Sequence, residues 1–248
     1  MEALTEVLHE IAEPVTYVDL VLFGIDLSIN KAVVFLWISA LVVFLLVWLP
    51  SRRPSLVPKG LQNVIEGLLE FIRDGIVKEV MGEKGLPYFP FIATLFLFIL
   101  GANLVGLIPG SFTATAQTST TWTWAFIVFV LYNYVGVKTH GPIKYLRSFV
   151  PSGSPIFLMP IMFVLEVISH IVRPFSLGVR LFANMLAGHL VIALFIGMSV
   201  GAAWYVKAFP FVFAVVMYMF EVFIAVLQAY IYAILAAIYI GGALETEH

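Results

Sequence analysis

The sequence predicts an all-α polytopic membrane protein with about five transmembrane helices and one interfacial amphipathic helix. Of its 248 residues, 62% are hydrophobic and 11% are charged, and the mean hydropathy is strongly positive. Soluble domains carry about 25% charged residues, so lipid is the solvent that suits this chain. The sequence contains no cysteine, which excludes disulfides and thiolate metal sites.

The first predicted span covers residues 32–49, an uncharged stretch close to the roughly 20 residues needed to cross about 30 Å of hydrocarbon. Residues 1–31 hold six acidic residues and one lysine, whereas Arg52, Arg53 and Lys59 follow the span. Because basic residues favour the cytoplasmic side, residues 1–31 are predicted to form a non-cytoplasmic N-terminal segment. The acids there, with no basic region before an apolar run, argue against a cleaved signal peptide. Residues 32–248 are predicted to form a single membrane domain.

Residues 61–81 have the pattern of an interfacial helix on the cytoplasmic surface. Apolar residues recur there at helical spacing, and charged residues occupy the other side. An amphipathic helix that covers a soluble core would show the same pattern, although little else in this chain is soluble. The apolar positions are Leu61, Val64, Ile65, Leu68, Leu69, Ile72, Ile76 and Val80.

The next two spans are predicted at residues 88–108 and 122–137, within an uncharged stretch from Gly85 to Val137. A hydroxyl-rich patch at residues 111–123, preceded by Pro109 and Gly110, separates them. Lys138, Lys144 and Arg147 follow the second of these spans, which places that loop inside.

The last two spans, residues 160–200 and 211–243, are too long for straight crossing helices. They would extend about 60 Å and about 50 Å, so each must tilt steeply, kink or break. Pro174 offers a kink in the first of them. The turn at residues 201–210 contains Trp204, Tyr205 and Lys207, which suit a membrane interface, and the C-terminus is predicted inside.

Ionisable residues within the predicted spans are confined to these two long segments. An arginine at mid-bilayer costs about 3 kcal/mol or more on insertion scales, so each such residue is a functional hypothesis. The fourth span contains Glu166, His170, Arg173, Arg180 and His189, and the fifth contains Glu221, with Asn184 and Gln228 as uncharged polar neighbours.

A polar stripe follows one face of the fourth span, because offsets of three, four and seven residues return to the same side of a helix. A salt-bridged packing seam could explain part of the stripe, but Arg180 fits that alternative poorly because its nearest acid lies beyond Arg173. Its counter-charge is therefore expected from another helix or chain. His189, nine residues further, points to the opposite side. The stripe comprises Glu166, Ser169, His170, Arg173, Arg180 and Asn184.

Glu221, Gln228 and Tyr232 share one side of the fifth span. A lone carboxyl group in the bilayer would be neutral, and a neighbouring histidine would form with it a pair able to exchange protons. A hydrogen bond that merely ties two helices is the structural alternative.

No metal site is expected, since no His-Glu-x-x-His run occurs, and no Gly-rich phosphate loop predicts nucleotide binding. Ser152-Gly153-Ser154 lacks a nucleophile elbow.

Residues 176–189, Ser-Leu-Gly-Val-Arg-Leu-Phe-Ala-Asn-Met-Leu-Ala-Gly-His, resemble the signature of the subunit a family of F-type ATP synthases. The similarity continues at residues 103–109 and from Glu221 through Gln228 to Tyr232. The resemblance implies that Arg180 is the essential charge between two half-channels. It further implies an entry path through His189, Glu221, Asn184 and Gln228, and an exit side near Glu166, Ser169, His170 and Arg173.

The resemblance also implies partners and a place in the cell. A ring of c subunits would face Arg180, peripheral-stalk b-type subunits and other synthase subunits would bind elsewhere, and the last two helices would form a steeply tilted hairpin against the ring. The expected location is the bacterial inner membrane, within the lipid bilayer, with no nucleic-acid partner, no cofactor and no catalysis by this chain itself. A proton-coupled secondary transporter and a purely structural subunit are the alternatives.

Overall fold

A computed structural model describes residues 15–19, 21–22, 25–26, 28–52, 55, 57–108, 110–147, 149, 157–201 and 207–245. Helices dominate these residues, and the predicted all-α polytopic fold class is confirmed. The helices are α1 (Lys31–Ser51), α2 (Leu61–Ile72), α3 (Glu79–Met81), α4 (Phe89–Gly106), α5 (Thr118–His140), α6 (Pro142–Arg147), α7 (Met159–Gly201) and α8 (Ala208–Leu244).

Five of the helical segments are long and apolar enough to cross a membrane: α1, Glu83–Gly106, α5, α7 and α8. Glu83–Gly106 comprises a 3₁₀ turn, Glu83–Tyr88, and α4. The chain is a multi-pass membrane protein by length and composition of these helices. Each predicted span begins and ends within a few residues of one of them. The predicted side of the membrane for each terminus stays a prediction.

Short strands precede α1, a feature that the sequence analysis did not predict. β1 (Thr16–Val18) pairs antiparallel with β4 (Ile29–Asn30), and β2 (Val21–Leu22) pairs antiparallel with β3 (Ile25–Asp26). Strands of two or three residues are too short to give a periodic signal. The predicted N-terminal segment also contains residues 1–14, which lie outside the described residues, as do Pro109, Ser152-Gly153-Ser154, Trp204 and Tyr205.

Helix α7 is continuous over 43 residues, with Pro174 inside it. Its length is therefore about 64 Å, roughly twice the hydrocarbon thickness. The broken-helix alternative is wrong for this segment. Tilting or kinking remains the way to fit it into a bilayer.

The chain divides into two compact units. The first contains the described residues within 1–52, 97–120 and 180–229, and the second contains those within 53–96, 121–179 and 230–248. Helices α4, α7 and α8 contribute to both units.

In the first unit, residues 180–201 of α7 lie against residues 208–229 of α8 in antiparallel orientation. The rings of Phe195 and Phe213 are stacked with centroids 5.2 Å apart, and nearer the connection the Ser199 hydroxyl donates to the Lys207 carbonyl at 3.4 Å. At the other end, Met185 and Ala225 share a buried cluster. The predicted steep inclination against a subunit ring goes beyond these contacts and stays a prediction.

In the second unit, the amphipathic segment is interrupted by a π-helix, Arg73–Lys78, between α2 and α3. The wider turn shifts the helix phase, so that the adjacent residues Ile76 and Val77 are both fully buried. The prediction of one regular amphipathic helix over residues 61–81 misses this change. Val64, predicted on the apolar side, is 62% exposed, so the rest of the described chain does not cover it.

The second unit also contains a close approach between α5 and α6. A Cβ atom added at Gly136 would lie 2.7 Å from Cδ2 and 2.8 Å from Cζ of the Tyr145 ring. Tyr145 is buried, and its hydroxyl donates to Asn133 Oδ1 at 3.2 Å. Glycine at position 136 therefore makes room for this ring.

We expect Gly136→Ala to destabilise the protein by about 1–3 kcal/mol, because an added methyl group overpacks this contact. The matched control is Gly67→Ala, where an added Cβ atom meets nothing within 4 Å and the helix gains propensity. Thermal unfolding of the two variants in the same detergent measures the difference. Equal melting temperatures would show that the Tyr145 ring can move aside without a loss of stability.

Candidate functional site

The first unit brings together the two residues predicted to exchange protons. His189 on α7 and Glu221 on α8 lie at ion-pair distance, with 2.8 Å between Nδ1 and Oε1. Glu221 is 2% exposed and His189 is partly buried. A Cβ atom added at Gly188 would lie 2.7 Å from Cδ of Glu221, so glycine at that position lets the carboxyl group lie against α7.

The imidazole of His189 has polar neighbours at both nitrogens. Nδ1 lies 3.1 Å from the Met185 carbonyl, and Nε2 lies 2.6 Å from Thr113 Oγ1 and 3.4 Å from the Gly106 carbonyl. Neither oxygen of Glu221 has an aligned hydrogen bond among the described residues. The carboxyl group therefore lies beside the ring at ion-pair distance without a hydrogen bond of good geometry to Nδ1.

A partly enclosed cavity of about 290 Å³ adjoins this pair. Its wall is mainly apolar, and four side chains contribute polar groups: Ser111, His189, Tyr218 and Glu221. The Tyr218 hydroxyl donates to the Leu107 carbonyl at 3.0 Å. The cavity is large enough for several water molecules, and its polar groups offer them hydrogen bonds.

Asn184 and Gln228, predicted as neighbours on the entry path, contact each other. Asn184 Nδ2 donates to Gln228 Oε1 at 2.8 Å. Asn184 is exposed, whereas Gln228 is buried and its Nε2 has no hydrogen-bond partner among the described residues. The bond thus joins an exposed amide on α7 to a buried amide on α8, a second polar contact between the two helices beside the His189–Glu221 pair.

Arg180 has neither a hydrogen-bond nor an ion-pair partner within the described part of the chain. Its side chain is partly exposed, and Ala183, Asn184 and Ala187, which follow it at helical spacing, are exposed. On the other side of the helix, Leu181 and Met185 are fully buried. The cation therefore lies on an open face of α7 lined by small residues.

The four residues predicted for the exit side lie in the second unit, in different surroundings. Arg173 and Glu166 form an ion pair at 3.1 Å, both partly exposed, and Ser169 is exposed. His170 is buried, and its Nε2 lies 2.9 Å from Asn133 Oδ1. Aromatic rings surround it: Phe129, Tyr132, Tyr145 and Phe149.

The salt-bridge alternative is therefore observed for Glu166, and the partner is Arg173 rather than His170. The nearest acid of the stripe is occupied by another arginine, which leaves Arg180 without it. Among the described residues, no group of three or more histidine, aspartate or glutamate side chains could hold a metal ion. Chemically, the site offers a carboxyl–imidazole pair beside a cavity and a separate permanent cation.

Residues 33–241 match the profile of the ATP synthase A chain family. The chain belongs to this family. The predicted resemblance is thereby confirmed over most of the sequence.

Bacterial relatives of the same family support this assignment. A protein named ATP synthase subunit a from Rubrobacter xylanophilus is 40% identical over 246 residues, covering 98% of this chain and 95% of the relative. Proteins of the same name from Xanthobacter autotrophicus and from Wolbachia sp. subsp. Drosophila simulans are 39% and 38% identical. The former alignment covers 94% of this chain and 95% of the relative, and the latter covers 90% and 92%.

Sequence reasoning missed several residues that shape the site of this family member. Asn103 is fully buried, accepts from Thr115 Oγ1 at 2.7 Å and donates to the Ala225 carbonyl at 3.4 Å. Thr113 contacts His189, and Tyr218 lines the cavity. The available signal was the hydroxyl-rich patch at residues 111–123, which the analysis treated as a separator between spans and not as part of a site.

Proposed function

We propose that this chain is the stationary proton-path subunit of an ATP synthase, with two offset half-channels that lead to carboxylates on a rotating ring. It carries no catalytic chemistry itself and works with the other subunits of the complex, including a c-subunit ring and b-type stalk subunits. The observation that carries this proposal is Arg180, a permanent cation on an open helix face without a counter-charge in the described chain. An unpaired cation in a membrane helix favours a carboxylate supplied by a partner.

The entry half-channel runs through the cavity beside His189 and Glu221. Water in this cavity would deliver protons from the outer side to the carboxyl–imidazole pair, which accepts them and passes them on. Asn184 and Gln228 extend the polar route toward the face that carries Arg180. Glu221 is almost fully buried, so a proton reaches it from the cavity rather than from bulk solvent.

Arg180 separates the two half-channels. A guanidinium group stays protonated at every working pH, so it cannot relay a proton between them. It attracts a ring carboxylate in the anionic form and favours release of the proton on the exit side before that carboxylate passes. Each proton that crosses 100 mV releases about 2.3 kcal/mol, and several protons per turn can together supply the energy for ATP synthesis in the catalytic head.

The exit half-channel is proposed to begin near Glu166, Ser169 and Arg173. The Glu166–Arg173 pair is partly exposed and Ser169 is exposed, so the rest of the described chain leaves all three open to a water-filled path. His170 contributes less directly, because aromatic rings enclose it. We place the chain in the bacterial inner membrane, with the N-terminus outside and the C-terminus in the cytoplasm.

Cysteine cross-linking tests the contact with the ring. The chain has no cysteine, so Ala183→Cys and Ala187→Cys place single thiols on the exposed face that carries Arg180. In the assembled complex, with a cysteine on the outer face of each ring subunit, both variants are expected to form disulfides to the ring on mild oxidation.

The matched control is Ala40→Cys, at an exposed alanine on α1. It is expected to give no cross-link to the ring under the same oxidation. Cross-linking from Ala40→Cys but from neither position on α7 would contradict the proposed ring-facing surface.

A further inference from the structure

Thr113 occupies a position from which it controls the orientation of His189. It follows α4 in the hydroxyl-rich patch, is 3% exposed, and places Oγ1 2.6 Å from Nε2 of His189. The other ring nitrogen faces Glu221 at 2.8 Å. Rotation of the ring about its Cβ–Cγ bond would break the first contact and carry Nδ1 away from the carboxyl group.

A hydroxyl group suits this position because the ring changes its protonation state during transport. When His189 is neutral, the acceptors near Nδ1 retain the proton there, and Nε2 accepts a hydrogen bond from the Thr113 hydroxyl. When the ring is protonated, Nε2 donates, and the same oxygen accepts. Since the hydroxyl can rotate, a threonine or serine satisfies Nε2 in both states. Valine offers the neutral ring no donor and leaves the protonated ring only the longer contact with the Gly106 carbonyl, at 3.4 Å.

The surrounding residues hold Thr113 in place. A Cβ atom added at Gly106 would lie 2.7 Å from Cβ and from Cγ2 of Thr113, so glycine at that position lets the threonine lie against the end of α4. Two residues further, Thr115 bonds to Asn103, which in turn bonds to the Ala225 carbonyl on α8. The segment from Thr113 to Thr115 is thus fixed to α4 and to α8, the helix that carries Glu221.

We propose that Thr113 is a positioning residue for proton entry, which keeps Nδ1 of His189 beside Glu221 in both protonation states of the imidazole ring. This inference rests on the proposed function and assigns a role within its entry path. In this role Thr113 contacts neither the carboxylate of the c-subunit ring nor Arg180. It acts through His189. Gly106 supports the same geometry by leaving space for the threonine.

The test measures ATP-driven proton pumping in inverted membrane vesicles that contain the whole complex, at equal amounts of assembled enzyme. Thr113→Val keeps the shape of the side chain but removes its hydroxyl, and is expected to slow pumping about fivefold, the effect of one lost hydrogen bond of about average strength. Thr113→Ser retains the hydroxyl and is expected to pump within about twofold of the parent. Thr94→Val, at an exposed threonine on α4, is the control for hydroxyl removal and is expected to be unchanged.

Two further variants separate the possible failures. Glu221→Gln is expected to slow pumping, and adding Thr113→Val to it is expected to cause little further loss, because both changes affect one step. Equal pumping by Thr113→Val and Thr113→Ser would overturn the positioning role. If Glu221→Gln still pumped slowly in that case, the proposed function would stand without the role of Thr113. Full pumping by Glu221→Gln would overturn the proposed entry path through Glu221 and the positioning role with it.

Discussion

Replacing Arg180 with alanine is expected to abolish coupled ATP synthesis and to make the membrane sector leak protons. The guanidinium group is the barrier between the two half-channels in the proposed function, and no other cation among the described residues lies unpaired on this helix face. Without it, a ring carboxylate could accept a proton from one half-channel and lose it to the other without rotation. Synthesis should fall to background, while passive proton conduction rises.

The two effects are measured in the same vesicles. ATP synthesis driven by an imposed proton gradient gives the coupled rate, and decay of the gradient without nucleotide gives the leak. Arg52→Ala, which removes an exposed arginine after α1, is the control and should leave both rates unchanged. If the Arg180→Ala vesicles still acidified fully on addition of ATP, the barrier role would be wrong.

The sequence was sufficient to predict the helices because their signals are local. Uncharged stretches gave the five long helices, and the spacing of polar residues placed Arg180 and His189 on different sides of α7. The structure agrees: Arg180 lies on an open face, and His189 lies beside the cavity. The pair formed by His189 and Glu221 could also be predicted from the sequence, because ionisable residues are rare in such spans.

The parts that the sequence did not predict depend on contacts between distant segments. Thr113 meets His189 across 76 positions of the chain, and Asn103 meets Ala225 across 122. Neither contact leaves a periodic pattern. Glycine likewise gives no sign of which side chain will occupy the space it leaves, so the closeness of Gly188 to Glu221 was not foreseen. The π-helix at Arg73–Lys78 changes a helix phase that a regular period assumes to be constant.

The exit side shows the same limit within a single helix. The spacing placed Glu166, His170 and Arg173 on one face, and the structure pairs the first with the third. His170 instead packs among aromatic side chains and bonds to Asn133, because α5 and α6 supply neighbours that the pattern of one helix cannot indicate. Its role in proton exit stays a prediction.

Glu221→Ala is the second large change, and it should slow proton transport without creating a leak. The substitution removes the buried carboxyl group that lies beside His189 and faces the cavity, and so damages the entry path. Arg180 stays in place, so the barrier between the half-channels is intact. Because loss of a positioned proton-transfer group typically costs a factor of about 10²–10⁴, we expect transport to fall at least about 100-fold.

The measurement compares gradient-driven ATP synthesis with passive gradient decay in Glu221→Ala vesicles, beside the matched control Glu79→Ala at an exposed glutamate on α3. Slow synthesis with an unchanged passive decay would separate this variant from Arg180→Ala, in which the decay accelerates. The two variants differ in leak because the groups they remove lie in different places: the carboxyl–imidazole pair lies beside the cavity, and the unpaired cation lies on the open face of α7. Unchanged proton flux in Glu221→Ala vesicles would remove Glu221 from the path and leave the cavity without its acidic group.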